Sequence, residues 1–213
     1  MKAYHIDRFG SIGGIVRRSA KDPRPGPKEV LMRVQASSLN YRDLMVLKGG
    51  GRGPTRLGVI PLSDGAGDVE AVGEGVTRVK VGDRIAGCFH ARWYGGPIKP
   101  DYLTDRLGAN LDGMLAEYAV LNEEALVHVP SHLPFEEAAT LPCAAVTARV
   151  AVTRDRRVTA GDTVLTRAPE AYRCLPCNSP GSWATAALAR RPYVPLRPLA
   201  LRNGDFCRRS DLW

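Results

Sequence analysis

The feature that most constrains this chain is a run of short two-residue-period segments, each closed by a glycine turn, through its first 130 residues. Pro25-Gly26-Pro27 opens onto residues 29–36, where Val30, Met32, Val34 and Ala36 share one face, as a half-buried strand requires. Asn40 is placed to cap a short helix over 41–48, which Gly49-Gly50-Gly51 ends. Asp64-Gly65-Ala66-Gly67 leads into a second alternating strand at 68–72, closed by Gly73-Glu74-Gly75. Val81-Gly82-Asp83-Arg84 turns into a third at 85–89, and residues 113–121 and 125–129 give two more. Strands this short with turns this frequent favour a small, partly open barrel over a helical bundle.

The period then changes. Residues 135–140 suit an amphipathic helix, and Pro142 can open a second running to about Thr153. Ala160-Gly161-Asp162 is a turn before Thr163-Val164-Leu165-Thr166, which reads as the first buried strand of an α/β unit. A glycine-rich loop and a helix are expected next, but Arg167-Ala168-Pro169-Glu170 follows instead. From Arg167 onward there are eight arginines, no lysine and only three acids, so much of the net charge of +8 sits in the tail. Such clustering argues against a domain-wide basic face and a nucleic-acid partner. No apolar run reaches membrane-spanning length, and the start lacks a signal-peptide core, so no membrane partner is expected. Five irregularly spaced cysteines make no disulfide framework, which predicts a reduced, cytoplasmic protein.

Several stretches carry a family resemblance: Pro-Gly-Pro-Lys-Glu-Val-Leu (25–31), Ser-Leu-Asn-Tyr-Arg-Asp (38–43), Pro-Leu-Ser-Asp-Gly-Ala-Gly (61–67) and Val-Gly-Glu-Gly-Val (72–76). Lys-Val-Gly-Asp-Arg (80–84), Asp-Gly-Met-Leu-Ala-Glu-Tyr (112–118) and Ala-Ala-Thr-Leu-Pro-Cys-Ala-Ala-Val-Thr-Ala (138–148) continue it. In order and spacing the chain resembles the medium-chain dehydrogenase/reductase superfamily, and within it the zinc-independent, quinone-reductase-like branch. The resemblance implies a mainly β, GroES-like substrate domain over 1–130. It also implies the helices and first strand of an incomplete Rossmann domain over 131–166. The implied activity is NAD(P)H-dependent oxidoreduction, with hydride passing between nicotinamide and a quinone, carbonyl or activated alkene as the small-molecule substrate. The intact family forms homodimers.

Residues 167–213 depart from that pattern. If one nucleotide is missing after the Thr166 codon, overlapping codon pairs from Arg167 through Ala184 permit Gly-Thr-Gly-Gly-Val-Ser-Val-Phe-Ala-Leu-Gln-Leu-Ala-Arg-Leu-Leu-Gly, a glycine loop and amphipathic helix. The tail is therefore expected to be out of frame and irregular, leaving dinucleotide binding and activity weak in this chain. The alternative is a non-enzymatic GroES-like β module acting in binding or assembly.

The resemblance also orders the candidate site residues. Asn40 stands at the family's first zinc-ligand position and Ser63-Asp64 around the second, and no four-cysteine lobe lies between Cys88 and Cys143, so no zinc is expected. Cys174-Leu175-Pro176-Cys177 has ligand-like spacing but lies in the tail. Asn40 and Tyr41 can orient the nicotinamide ribose and substrate, Tyr41 bonding a developing oxyanion; the bland alternative has Asn40 capping the helix and Tyr41 packed beneath it. Asp43 reads as structural. Asp64 either faces the cleft or caps a local turn. Thr147 is expected against the nicotinamide, unless it bonds back to a helix carbonyl. Cys143 is expected to be a small buried side chain rather than a nucleophile.

Overall fold

The computed structural model describes residues 1–50, 55–93 and 95–153. The predicted strand at 163–166, the tail over 167–213 and the Cys174–Cys177 pair lie outside the described residues.

Among the described residues seven strands form two antiparallel sheets. β1 (Lys2–Ile6) pairs β2 (Ile15–Ser19), with Ala3 opposite Arg18. β3 (Glu29–Ser38), β4 (Asp64–Val72), β5 (Arg84–Gly87), β6 (Tyr118–Asn122) and β7 (Leu126–His128) make a curled sheet in the order β6-β3-β4-β5-β7. Its concave side encloses Val30, Met32, Val69, Ile85, Leu107, Met114, Leu121 and Leu126. This is the mainly β, half-barrel architecture of a GroES-like domain. A second cluster, Ile6, Val46, Leu47 and Val59, seats helix α1 (Tyr41–Leu47) against β1.

The strands differ from the sequence expectation in informative ways. The β1–β2 hairpin carries exposed Arg17 and Arg18 on its outer strand, so its alternation is too weak to read. β4 starts at Asp64 rather than 68: the small residues taken for a lead-in pair fully with β3, Ala36 opposite Ala66 and Ser38 opposite Asp64. β6 starts at Tyr118 rather than 113, because the preceding residues bond elsewhere. Gly113 N–H donates to Ile60 O at 2.8 Å and Met114 N–H to Leu62 O at 2.9 Å. Those bonds clamp Leu62, which is buried and left-handed at φ 71°. A Cβ on Gly113 would lie 1.9 Å from Leu62 O, and one on Gly108 2.6 Å from the Leu62 carbonyl carbon.

After β7 the chain turns helical. Helix α2 (Phe135–Ala138) lays Ala138 and Ala139 on the outer face of the sheet over Ala66 and Ala86, with Ala36 packed alongside. Ala36, Ala66 and Ala86 are cross-strand neighbours, so methyl groups meet methyl groups and the backbones approach closely. The expected second helix starts as a wide π turn, Leu141–Ala145, and continues as α3 (Val146–Thr153). No helix among the described residues is long and apolar enough to cross a membrane.

Candidate active site

Alternation along β4 puts Asp64 on the same face as Ala66, towards α2 and away from the barrel core that holds Val69. The carboxylate is fully buried and both its oxygens are occupied. Ser63 Oγ donates to Oδ1 at 2.7 Å, and the Cys143 backbone N–H donates to Oδ2 at 2.9 Å. Burial pushes the Asp64 carboxyl above its ordinary range, while Ser63, the Asn40 side chain, the Cys143 amide and the Arg42 charge pull it back.

Asn40 is the N-cap of α1, in extended conformation. Its backbone N–H donates to Asp43 Oδ2 at 2.7 Å, the reaching-back half of a capping box. The amide side chain faces Asp64, although its Nδ2 makes no hydrogen bond of normal geometry. Tyr41 is 73% exposed, so it lies at the rim rather than beneath the helix. Burial raises the Asp43 carboxyl too, opposed by the Asn40 N–H and by Arg42.

Across from Asp64, burial raises the Cys143 thiol, with the Asp64 charge adding to the shift. A side-chain hydrogen bond joins that thiol to Thr147 one helical turn on, which is exposed. Asn40, Asp64, Cys143 and Thr147 thus form one connected set drawn from α1, β4 and the π turn with α3. Three of the four proposed site residues meet in it, and Tyr41 stands at its edge.

The sequence reading passed over two contributors. Arg42 lies over the Phe89 ring at 4.4 Å and has Nη1 3.7 Å from Asp43 Oδ1, a buried counter-charge to Asp43 and Asp64. His90 meets the same Phe89 ring edge-on at 4.4 Å, and its Nδ1 lies 3.0 Å from Tyr102 O. Burial lowers the His90 pKa. Arg42 sits inside the Asn-Tyr-Arg-Asp run, but nothing in its spacing shows that a phenyl ring forty-seven positions on will cover it.

The donors present suit a metal poorly. Among the described residues no three His, Cys, Asp or Glu side chains converge as a ligand set. Here the one carboxylate already accepts from the Ser63 hydroxyl and the Cys143 backbone N–H.

The polar set lies where the β barrel meets the first helices that follow it. The alcohol dehydrogenase GroES-like domain family matches residues 26–131. A zinc-type alcohol dehydrogenase-like protein of Schizosaccharomyces pombe is 50% identical over 123 residues, 57% of this chain and 35% of that protein. A quinone oxidoreductase of Pseudomonas aeruginosa is 35% identical over 164 residues, 74% of this chain and 43% of its own length. Among solved structures, a thermostable alcohol dehydrogenase from Pyrobaculum aerophilum with cobalt and zinc bound aligns with TM-score 0.62 at 32% identity, covering 71% of this chain and 47% of that one. The chain belongs to the medium-chain dehydrogenase/reductase superfamily, a family of oxidoreductases. It spans less than half the length of these relatives.

Proposed function

We propose that this chain carries the substrate half of a zinc-independent oxidoreductase that passes hydride between NAD(P)H and a quinone, carbonyl or activated alkene. The observation that supports it best is the buried Asp64 carboxylate, which already accepts from Ser63 Oγ and the Cys143 N–H. A zinc site needs ligands free to turn to the metal, whereas here the carboxylate already has two donors.

The dinucleotide would supply the hydride when bound. Thr147 and the Asn40 amide flank the buried carboxylate and are the groups that would meet the nicotinamide side. Tyr41, exposed at the rim, would donate its phenolic O–H to the oxygen on which charge develops as the substrate accepts hydride. Asp64 keeps Asn40 and the α3 helix in register without itself giving up a proton. Free thiols at Cys88 and Cys143 suit a reducing, cytoplasmic setting.

The test measures NADPH oxidation with a quinone, an enone and an aldehyde, with and without a zinc chelator, alongside calorimetric quinone binding to the chain alone. Support is chelator-insensitive turnover or, where turnover is below detection, quinone binding lost in Tyr41→Ala. Stoichiometric zinc with chelator-sensitive turnover, or no binding of any acceptor, overturns the proposal.

A further inference from the structure

We infer that Asp64 is a positioning residue: it caps the helix beginning at Leu141 from the other side of the junction and so docks that helix, with Thr147, onto the barrel.

A helix leaves its first N–H groups without internal partners, and a nearby side chain normally supplies the acceptor. Here the local cap is absent, because Thr140 precedes Leu141 with no side-chain hydrogen bond into the turn, and no acidic residue lies in the first turn. Pro142, the second residue, has no N–H to offer. Cys143, the third, carries the N–H that needs an acceptor, and it finds Asp64 Oδ2 at 2.9 Å, 79 positions earlier in the chain. A carboxylate at a helix N-terminus also meets the positive end of the helix dipole.

Three other features make this bond possible. The alanine contact of Ala138 and Ala139 with Ala66 and Ala86 brings helix and sheet close enough for a carboxylate on a single methylene to span the gap. Ser63 Oγ on Oδ1 fixes the rotation of the carboxylate, leaving Oδ2 for the amide. The left-handed Leu62, clamped by Met114 N–H on its carbonyl, sets the direction in which Ser63 and Asp64 leave the loop. One turn beyond Cys143 the helix carries Thr147, so the same bond sets where Thr147 stands against the barrel. The inference rests on the proposed function only in saying what that docking serves.

The experiment is site-resolved amide hydrogen exchange on the full chain, as wild type, Asp64→Asn and Asp64→Ala. None of these readouts involves nucleotide or quinone, so their outcome is independent of the functional test above. In the wild type the Cys143 amide is expected to exchange at least about tenfold more slowly than an unbonded amide, the scale of one hydrogen bond to a charged acceptor. Asp64→Asn can set its amide oxygen at the Oδ2 place with its NH2 donating to Ser63 Oγ, and is expected to keep that protection. Asp64→Ala is expected to lose it at Cys143 and along α3, while β3 and β6 amides hold. A Cys143 amide that exchanges freely in the wild type overturns the inference. So does Asp64→Asn losing protection, or Asp64→Ala retaining it. Should Asp64→Ala fail to fold, the wild-type and Asp64→Asn measurements decide between the two outcomes.

Discussion

Leu62 offers a test in which the usual order of two substitutions should reverse. It is 5% exposed in the barrel cluster and sits at φ 71°, a region a side chain normally avoids. Leu62→Ala removes the buried side chain but keeps a Cβ in the left-handed conformation, so the expected loss is about 3 kcal/mol. Leu62→Gly removes the same packing but also relieves a left-handed penalty of roughly 1–2 kcal/mol. Against that stands the extra backbone freedom of glycine in the unfolded chain, roughly 0.5–1 kcal/mol. The glycine variant should therefore be the more stable of the two by roughly 0.5–1 kcal/mol, although both fall below wild type. Leu121 is the control, since it is 4% exposed in β6 and pairs regularly with Val30. There Leu121→Gly should be less stable than Leu121→Ala by about 0.5–1 kcal/mol, the ordinary strand order. Urea unfolding with equal denaturant slopes across the four variants reads both differences. If glycine is worse than alanine at position 62 by the margin seen at 121, the clamped left-handed turn is not what holds Ser63 and Asp64.

The same clamp makes Gly113→Ala severe: its Cβ would sit 1.9 Å from Leu62 O and 2.6 Å from Pro61 O, both backbone, and a urea-measured loss of about 3 kcal/mol or more is expected. Near-wild-type stability there would contradict the packing. Arg42→Ala strips Asp43 and Asp64 of their buried counter-charge and Phe89 of its guanidinium, for an expected loss of about 2–3 kcal/mol, and Arg42→Lys should recover only part of it. Full recovery by lysine would mean that the flat stack on Phe89 contributes nothing. Glu123 accepts N–H groups from Thr77 and Arg78 and the Lys28 ammonium, which hold its carboxyl down to about 2 from an ordinary 4.5. Its contribution to stability is complete above pH 4.5 and is lost as pH falls towards 2, so Glu123→Gln should flatten the acid limb of the stability curve. An unchanged acid slope in that variant would count against it.

Some of this molecule is legible in its sequence and some is not, for physical reasons. The strand at Val30–Met32–Val34, the capped helix at 41 and the turn at Gly82-Asp83 are local patterns, and the fold keeps each of them. Asn40, Asp64 and Thr147 were reachable because family-like spacing marks them, and the structure joins them in one network. What binds them was not legible. The Asp64–Cys143 bond and the Arg42–Phe89 stack each join residues far apart in sequence, and no periodicity encodes a partner. Gly65-Ala66-Gly67 reads as a lead-in to the strand, whereas the structure makes it part of β4. Here their smallness serves close packing, since a Cβ on Gly65 would meet Met114 at 2.8 Å and Ala66 sits under α2.

The barrel's core and its charged floor are made of different residues. Its apolar core lies on the concave side of the sheet, while Asp43, Asp64 and Arg42 lie at the junction with the helices. Burial raises both carboxyls, so in the folded chain their ionised forms are less favourable than in the unfolded one. The stability each contributes is present below the unfolded pKa of 3.8 and is lost as pH rises through the elevated folded value, opposite in sign to Glu123. Asp64→Asn keeps the shape and the acceptor for the Cys143 N–H, its NH2 donating to Ser63 Oγ in place of the bond Ser63 gives the carboxylate, and it never ionises. It should therefore unfold at higher urea than wild type at neutral pH, and the gap should close as acid protonates Asp64. A gap independent of pH would mean that ionised Asp64 is not disfavoured by burial. A closing gap would mean that the native chain carries an avoidable penalty at the junction where Asn40 and Thr147 meet, which is the expected pattern for a site that positions chemistry rather than one that only packs.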